Sequence, residues 1–141
     1  MKTRTLLLLA LACGVAIMAA GAVFLVQLSR QADAAPAVPL GEVAEVGDMR
    51  IVVDESVEQA GVLDVTVTIG GVDDADGVSG FRLIASGHAA VPESAAAAGR
   101  CAGTTIEPKR CTIRFDVSAA RGDSRVLFYE RGDERAHWVL D

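Results

Sequence analysis

Aromatic residues are scarce in this chain of 141 residues, at 4% of the sequence, and there are only three cysteines and two histidines. The histidines have no nearby cysteine ligands, so the sequence carries no zinc signature. It also lacks a glycine-rich phosphate loop before a helix and a serine in a nucleophile elbow. We therefore predict neither an enzyme nor a bound cofactor.

Positive charge is also in deficit. Lysines and arginines number 13 against 19 acidic residues, which gives a formal net charge of −6. Residues 31–80 hold eleven of the acids and a single base, Arg50. An acidic domain is poorly suited to binding phosphates, so no nucleic-acid partner is predicted. Solvated acidic surfaces account for the excess.

One segment, residues 6–28, is uncharged and is apolar except for Gly14, Gly21 and Gln27. A bilayer core about 30 Å thick requires roughly 20 helical residues, so this segment predicts one transmembrane helix. Lys2 and Arg4 precede it, whereas only Arg30 follows it closely. This asymmetry predicts a cytoplasmic N-terminus at residues 1–5 and an extracytoplasmic C-terminal domain, in a single-pass protein of the cell membrane.

A cleavable signal peptide is the alternative interpretation of this segment. Its apolar region is usually about 7–15 residues long, so length favours a retained signal anchor. Against this, Ala34 and Ala35 flank an acceptable A-x-A cleavage site, and cleavage there would produce a secreted protein. Residues 29–46, rich in proline and small residues, are predicted as a linker, which leaves a domain at 47–141.

The domain shows the two-residue period of β-strands. Leu63, Val65, Val67 and Ile69 alternate with polar residues, as in a strand with one buried face. Strands at this spacing, separated by turn residues, predict an all-β, immunoglobulin-like antiparallel β-sandwich. The predicted strands are 49–53, 63–69, 81–85, 111–117, 125–129 and 136–140, with a shorter one at 104–106; the four alanines at 95–98 predict one helical turn.

Cysteine usage agrees with an extracytoplasmic domain. Cys101 and Cys111 are the two cysteines outside the apolar segment, and an even pair in an oxidising compartment indicates a disulfide. A redox-active pair is the alternative, but the spacing lacks the CxxC arrangement that lowers a thiol pKa. Cys13 is interpreted as a small residue of the membrane helix.

A set of strand and turn residues in 45–141 resembles the bacterial immunoglobulin-like extracellular domain of unknown function that occurs in secreted and membrane-anchored proteins of actinobacteria and their relatives. A similar domain occurs in the mycobacterial secreted immunoprotective protein. The residues that carry the resemblance are Val46-Gly47-Asp48, Leu63 to Thr68, Phe81-x-Leu83, Cys101, Ile106-x-Pro108, Cys111-x-Ile113-x-Phe115-Asp116-Val117, Leu127-x-Tyr129 and Trp138-x-Leu140.

The resemblance implies an antiparallel sandwich outside the membrane and no catalytic residues. Members of the family often carry an asparagine-rich turn after the second strand. Here the corresponding turn, residues 70–77, is longer and more acidic. A partner that binds through this loop would be particular to this branch of the family.

The acidic loop contains the candidate metal ligands, which are Asp73, Asp74 and Asp76. Calcium prefers clustered oxygen ligands, but an EF-hand register would put Val72 and Leu83 at the first and last ligand positions, which excludes that motif. A flexible polar turn explains the loop better than a looser calcium site. We therefore assign no metal.

Two Arg-Gly-Asp tripeptides and two histidines are the other candidate functional features of the sequence. The tripeptides at 121–123 and 131–133 match a sequence used by adhesion ligands, but turn chemistry in two hairpin loops explains both. His88 is predicted in a loop and His137 on the outer side of the last strand, opposite to Trp138. Trp138 is predicted in the core.

These observations predict a membrane-anchored extracytoplasmic domain that serves as a non-catalytic binding or structural module of a bacterial cell envelope. Its predicted partners are the membrane, through the N-terminal helix, and another envelope protein, bound on a sheet face or a strand edge. The alternatives are a secreted binding protein cleaved after Ala34, and an envelope metal-binding protein or enzyme that uses the acidic loop and His88. The oligomeric state is not assigned.

Overall fold

The computed structural model describes residues 2–31, 35–95 and 97–140. The chain divides at residue 35 into two units, an N-terminal helix and a β-domain.

The N-terminal unit is one helix, α1, at Thr3–Gln31. It includes the predicted span, 6–28, and extends it by three residues at each end. Residues Thr3–Ser29 are long and apolar enough to cross a membrane, a criterion that a signal sequence near the N-terminus also meets. The predicted cleavage residue Ala34 lies outside the described residues, whereas Ala35 is described and exposed.

The β-domain consists of two four-stranded antiparallel sheets in the described residues. The first sheet has the order β1-β2-β3-β6 and the second has the order β5-β4-β7-β8. The strands are β1 Val43–Val46, β2 Met49–Gln59, β3 Val62–Gly70, β4 Phe81–Ala85, β5 His88–Ala90, β6 Lys109–Asp116, β7 Arg125–Arg131 and β8 Glu134–Val139.

The strand order is that of an immunoglobulin sandwich. Strands β2, β3 and β6 correspond to A, B and E of one sheet, and β5, β4, β7 and β8 correspond to C′, C, F and G of the other. Strand β1 is added to the first sheet outside A. The predicted all-β sandwich behind one apolar helix is therefore confirmed.

The few aromatic residues of the domain are concentrated in the core. Trp138, Tyr129, Phe81 and Phe115 are all fully buried between the sheets. The rings of Phe81 and Tyr129 pack with their centroids 4.6 Å apart. Aromatic side chains bury about 150–250 Å² each, so four of them supply much of the apolar burial of a small sandwich. The burial of Trp138 agrees with its predicted core position.

Strand β1 lies inside the stretch predicted as a linker, 29–46. Ala44 and Val46 are buried and pair with Ile51 and Met49 of β2. Further back, the Val38 N–H donates to the His137 carbonyl oxygen at 2.8 Å. Four residues with two small apolar positions give too short an alternation to be recognised as a strand, and pairing with β2 is what makes them one.

Strand β2 is longer than predicted because it contains a β-bulge. Its register against β3 shifts between Val53 and Glu55, so Asp54 is an extra residue. Before the bulge the odd-numbered side chains face the core, and after it the even-numbered ones do, as Glu58 opposite Leu63 shows. A bulge reverses the alternation that sequence patterns depend on, so the prediction ended at residue 53.

Three local predictions differ in the second half of the domain. His88 begins strand β5 rather than lying in a loop, because Ser86 and Gly87 both have positive φ and form a tight hairpin turn. Thr104 makes a single bridge to Asp74 instead of starting a strand at 104–106. Residues 97–100 form a turn, and Ala96 of the predicted helical turn lies outside the described residues.

Candidate functional site

At one end of the sandwich, a cluster of three charged residues joins the two sheets. The Arg131 guanidinium at the end of β7 contacts Asp48 in the β1–β2 turn and lies 2.8 Å from Asp74 Oδ2 in the β3–β4 loop. Hydrogen bonding to Arg131 holds the pKa of both carboxyl groups below its usual range. The same contacts raise the pKa of Arg131 further. This cluster joins the two sheets and the acidic loop.

A second ion pair joins the sheets elsewhere in the sandwich. Arg125 of β7 has only 8% of its side chain exposed, and its Nε and Nη2 lie 2.7 and 2.9 Å from the two carboxylate oxygens of Glu58. Nη1 also donates to the carbonyl oxygens of Gly122 and Ser124. The hydrogen bonds from Arg125 lower the pKa of Glu58. Bidentate geometry of this kind fixes the distance between the strands.

Alternation explains why an arginine is buried here. Arg125, Leu127 and Tyr129 occupy successive inward positions of β7, so Arg125 points between the sheets. The bulge in β2 turns Glu58 to the same side of its sheet, where 38% of its side chain remains exposed. Alternation along β7 predicts that Arg125 faces inward, whereas alternation along β2 gives the wrong side for Glu58 because of the bulge. Neither residue, nor Arg131 or Asp48, was predicted as part of a site.

In the acidic loop, both carboxylate oxygens of Asp74 are bonded to other groups of the domain. Asp74 Oδ2 pairs with Arg131, and Asp74 Oδ1 accepts a hydrogen bond from the Asp76 backbone N–H at 2.9 Å. Asp73 and Asp76 are exposed. Among the residues that the structure describes, no group of three histidine, cysteine or acidic side chains is placed to hold a metal ion. Asp74 forms an Asx-type turn with the backbone of Asp76 and is braced by Arg131.

The loop is also attached to the core through Tyr129. The phenol Oη, which is buried, donates to the Gly77 carbonyl oxygen at 2.8 Å. Burial raises the pKa of Tyr129, since the phenolate would lose its hydration. On the other side, Thr104 Oγ1 donates to the Val72 carbonyl oxygen at 3.0 Å. These two hydrogen bonds fix the conformation of the loop against the core.

Cys101 and Cys111 form the predicted disulfide, with their Cα atoms 5.1 Å apart. The bridge connects the β5–β6 loop to the beginning of β6. The Cys101 N–H also donates to Thr112, and the Thr112 N–H donates to Gly99, so the loop runs along the outer edge of β6. Both cysteines line an open cavity of about 480 Å³ together with Lys109. The loop covers a sheet edge that would otherwise present unpaired backbone groups.

The remaining sequence motifs lie apart from one another. The tripeptide at 131–133 is in the β7–β8 hairpin, as predicted, but its Arg131 is engaged in the ion cluster. The tripeptide at 121–123 is not in a hairpin, because it connects β6 of the first sheet to β7 of the second. His88 is exposed on β5, and the ring of His137 stacks on Phe128 with centroids 5.6 Å apart.

Two solved structures are similar to this chain, while no protein-family model and no curated protein sequence matches it. The yjhA protein from Bacillus subtilis is 15% identical, with a TM-score of 0.56, over 73% of this chain and 98% of that one. The secreted protein MPT63 from Mycobacterium tuberculosis is 17% identical, with a TM-score of 0.49, over 75% and 99% of the two chains. At such identities the likeness to yjhA shows a shared fold.

Proposed function

We propose that this chain is a membrane-anchored, extracytoplasmic immunoglobulin-like domain that acts as a non-catalytic binding or structural module of a bacterial cell envelope. We also propose that it belongs to the family of bacterial immunoglobulin-like extracellular domains that its sequence resembles. The observation that carries the proposal is the exposed apolar helix at the N-terminus of a disulfide-bonded sandwich.

The helix supports anchoring because its apolar side chains have no partner within its own unit. Leu8, Ile17, Met18 and Leu25 are each about two thirds or more exposed. A helix that is apolar all around requires a lipid environment or burial in protein. Its length of 27 apolar-rich residues exceeds the usual apolar region of a cleaved signal peptide.

The disulfide supports a location outside the cytoplasm. Structural disulfides persist in oxidising compartments and are rare in the reducing cytosol. The Cys101–Cys111 bridge attaches the β5–β6 loop to strand β6, and the two cysteines do not form a CxxC motif. It therefore suits a stabilising role in an exported domain.

The charged groups with perturbed pKa values support a structural rather than a catalytic role. Asp64 has a lowered pKa because Arg114, directly opposite on β6, bonds both of its carboxylate oxygens at 2.7 Å. The pKa of Asp116 is lowered by hydrogen bonds from Ser118 in a local turn. The other two ion pairs with such shifts are the Arg131 cluster and the Glu58–Arg125 pair. All three ion pairs join strands or sheets. Structural ion pairs of this kind shift pKa values without any catalytic role.

Secretion after cleavage between Ala34 and Ala35 is the second candidate function. Val38, which bonds His137 and packs against the core, lies on the C-terminal side of that bond. Cleavage would therefore release a sandwich with all of these contacts intact. The product would be a soluble binding protein.

A reporter fusion combined with intact mass tests both candidates. Alkaline phosphatase fused after residue 141 requires export for activity, and Ala34→Tyr blocks processing at the predicted site. Anchoring predicts phosphatase activity in the membrane fraction and a wild-type mass that equals the unprocessed chain. Secretion predicts activity in the medium, a mass reduced by residues 1–34, and retention of the Ala34→Tyr variant. An inactive fusion in a stable protein would contradict both.

A further inference from the structure

Strand β5 forms the outer edge of the second sheet, where β4 is its neighbour. The two-residue hairpin turn makes Ala85 and His88 a hydrogen-bonded pair. Hydrogen-bonded and non-bonded pairs alternate along an antiparallel ladder, so the N–H and C=O of the next residue, Ala89, point away from β4. Among the described residues, no backbone group outside β4 bonds that of Ala89, or of Val91 just beyond β5. This edge thus presents unpaired backbone groups.

Other parts of the chain cover the edges of β6 and β8. The Glu93 N–H donates to the Arg114 carbonyl oxygen of β6 at 2.8 Å. The Val38 N–H donates to the His137 carbonyl oxygen of β8 at 2.8 Å. In the described residues, the edges of β1 and of the second half of β2 are open, but the acids of these strands are neutralised within the domain. They form the ion pairs Glu45–Arg50, Asp54–Arg110, Glu55–Arg110 and Glu58–Arg125.

An open cavity of about 380 Å³ adjoins the edge of β5. It is lined by residues 89–93 and, at and beyond the end of β6, by Asp116, Ser118 and Ala119. Its acidic lining residues are Glu93 and Asp116, and its lining contains no lysine or arginine. Because the cavity begins at the free edge of β5, a chain that pairs with this edge lies along the cavity.

A second open cavity, of about 290 Å³, lies beside residues 91–93 and the acidic loop. Val91, which is 61% exposed, contributes to the lining of both cavities. The charged lining residues of the second cavity are Asp76 and Glu93, and no lysine or arginine lines it either. An exposed apolar residue flanked by carboxylates fits the apolar stem and charged end of a lysine or arginine side chain.

The acids beside β5 are not neutralised within the domain. Glu93 and Asp116 are exposed and form no ion pair with any described residue. Hydrogen bonds from Ser118 keep the pKa of Asp116 below its usual range, so this carboxylate stays charged. The charge of Glu93 raises the pKa of Arg114, but that guanidinium is already bonded to both carboxylate oxygens of Asp64. The edge therefore combines free backbone groups with free negative charge.

We propose that the edge of β5 binds an extended, lysine- or arginine-bearing segment of another envelope protein, which adds to the second sheet as a strand. The backbone of this segment bonds the N–H and C=O of Ala89, which is the usual geometry of strand addition. Its side chain opposite Ala90 points to the inner side of the sheet, as Ala90 does, because facing residues of neighbouring strands share a side. This side chain enters the cavity beside Glu93 and Asp116.

A second copy of this chain is the less suitable partner. Pairing of β5 with β5 of another copy would bring the same acids together, and like charges at a contact oppose association. The whole chain carries a net charge of −6, which also favours a basic partner over a second copy. The inference rests on the proposed function, since it specifies the partner of the proposed binding module.

Peptide binding to the full chain in detergent micelles tests the site. The probe is a hexapeptide of alternating lysine and valine, and its matched control carries glutamate in place of lysine. The contact is small, so we expect saturable binding of the lysine peptide at about 0.1–1 mM. At saturation the Ala89 amide hydrogen should be protected from exchange, because it then donates to the peptide.

Two proline variants test the backbone contact. Ala89→Pro removes the N–H that faces the edge and leaves the bonds to β4 in place. It should weaken binding of the lysine peptide at least about tenfold, because proline blocks strand addition. The matched control is Ser56→Pro on the open edge of β2, where the N–H also faces outward, and it should leave binding unchanged. Trp138 fluorescence verifies that each variant is folded.

Two charge variants test the chemistry of the partner. Glu93→Gln/Asp116→Asn should weaken binding of the lysine peptide about fivefold, because two exposed ion pairs with lysine are lost. The matched control is Glu107→Gln/Asp133→Asn, which removes two exposed acids that line neither cavity. This control should weaken binding less than about twofold, since salt screens distant charges.

Failure to bind the lysine peptide, equal binding of the glutamate peptide, or an Ala89 amide that stays unprotected would overturn the site. Equal effects of a variant and its matched control would also overturn it, because general attraction to an acidic domain would then explain the binding. The proposed function is tested separately by the phosphatase fusion. An inactive fusion overturns export whether or not the peptide binds, and an active fusion leaves export standing if the peptide fails to bind.

Discussion

Removal of the Cys101–Cys111 disulfide should lower the stability of the sandwich by about 3 kcal/mol. The bridge closes a loop with a sequence separation of 10. In the chain-entropy description, a loop of this size restricts the unfolded chain by about 3 kcal/mol at 25 °C. The native connection keeps its hydrogen bonds from Cys101 to Thr112 and from Thr112 to Gly99, so the loss acts mainly through the unfolded state.

The variant for this experiment is Cys101→Ala/Cys111→Ala in the full chain, in a Cys13→Ser background that prevents mispairing. Alanine is preferred to serine because Cys101 is 8% exposed and packs against the core. A domain of this size loses about 4–8 °C in Tm for each kcal/mol, so we expect Tm to fall by about 12–24 °C.

Trp138 provides the assay because it is the single tryptophan of the chain and is fully buried in the sandwich. Its fluorescence reports unfolding of the β-domain without a contribution from the helix. Guanidinium titration of the Cys13→Ser protein, oxidised and reduced, is compared with the double alanine variant. The reduced protein should match the variant. A difference between oxidised and reduced protein below about 1 kcal/mol would refute the entropic account of the bridge.

Three further predictions concern the charged and constrained positions. Glu58→Gln should cost about 1–2 kcal/mol in a urea titration, since Arg125 loses two charge-assisted bonds that solvent partly screens; an unchanged midpoint would contradict this. Because the pKa of Glu58 is lowered in the folded state, its pair with Arg125 stabilises the fold fully above the unfolded pKa of 4.5. This stabilisation is lost as the pH falls through the folded pKa. Because burial raises the pKa of Tyr129 in the folded state, its neutral phenol stabilises the fold below the unfolded pKa of 10.0, and this stabilisation is lost as the pH rises through the folded pKa. A free energy of unfolding that stays constant from pH 9 to 12 would disprove this prediction. Gly71→Ala should destabilise by more than about 2 kcal/mol, because φ is +132° and a Cβ would collide with the Asp48 carbonyl oxygen; a wild-type Tm would exclude that contact.

Strand alternation made most of the sandwich predictable. Strands β3, β4 and β7 were anticipated within two residues at each end, because β3 alternates apolar and polar residues strictly and β4 and β7 are short apolar runs of strand length bounded by turn residues. The disulfide followed from the presence of two cysteines outside the apolar segment. These features depend on neighbours in sequence, so a local pattern is sufficient to reveal them.

The ion pairs between the sheets were not predictable in the same way. Arg125 and Glu58 are 67 residues apart, and they meet only because two sheets stack and a bulge at Asp54 turns Glu58 inward. Similarly, Asp74 belonged to a candidate calcium loop until its carboxylate was found against Arg131. A one-residue change of register reverses which side chains face the core, and no local pattern indicates where it occurs.

The amino-acid sequence by itself determined the apolar helix, the inward face of each regular strand and the pairing of its two domain cysteines, because each depends on composition or short spacing. Tertiary structure decided which strands became neighbours, which charges were neutralised between the sheets, and that Ile84, Val126 and Val139 align into one outer row. The physical reason is that strand register and sheet stacking are set by long-range packing, which brings together residues that no local pattern relates.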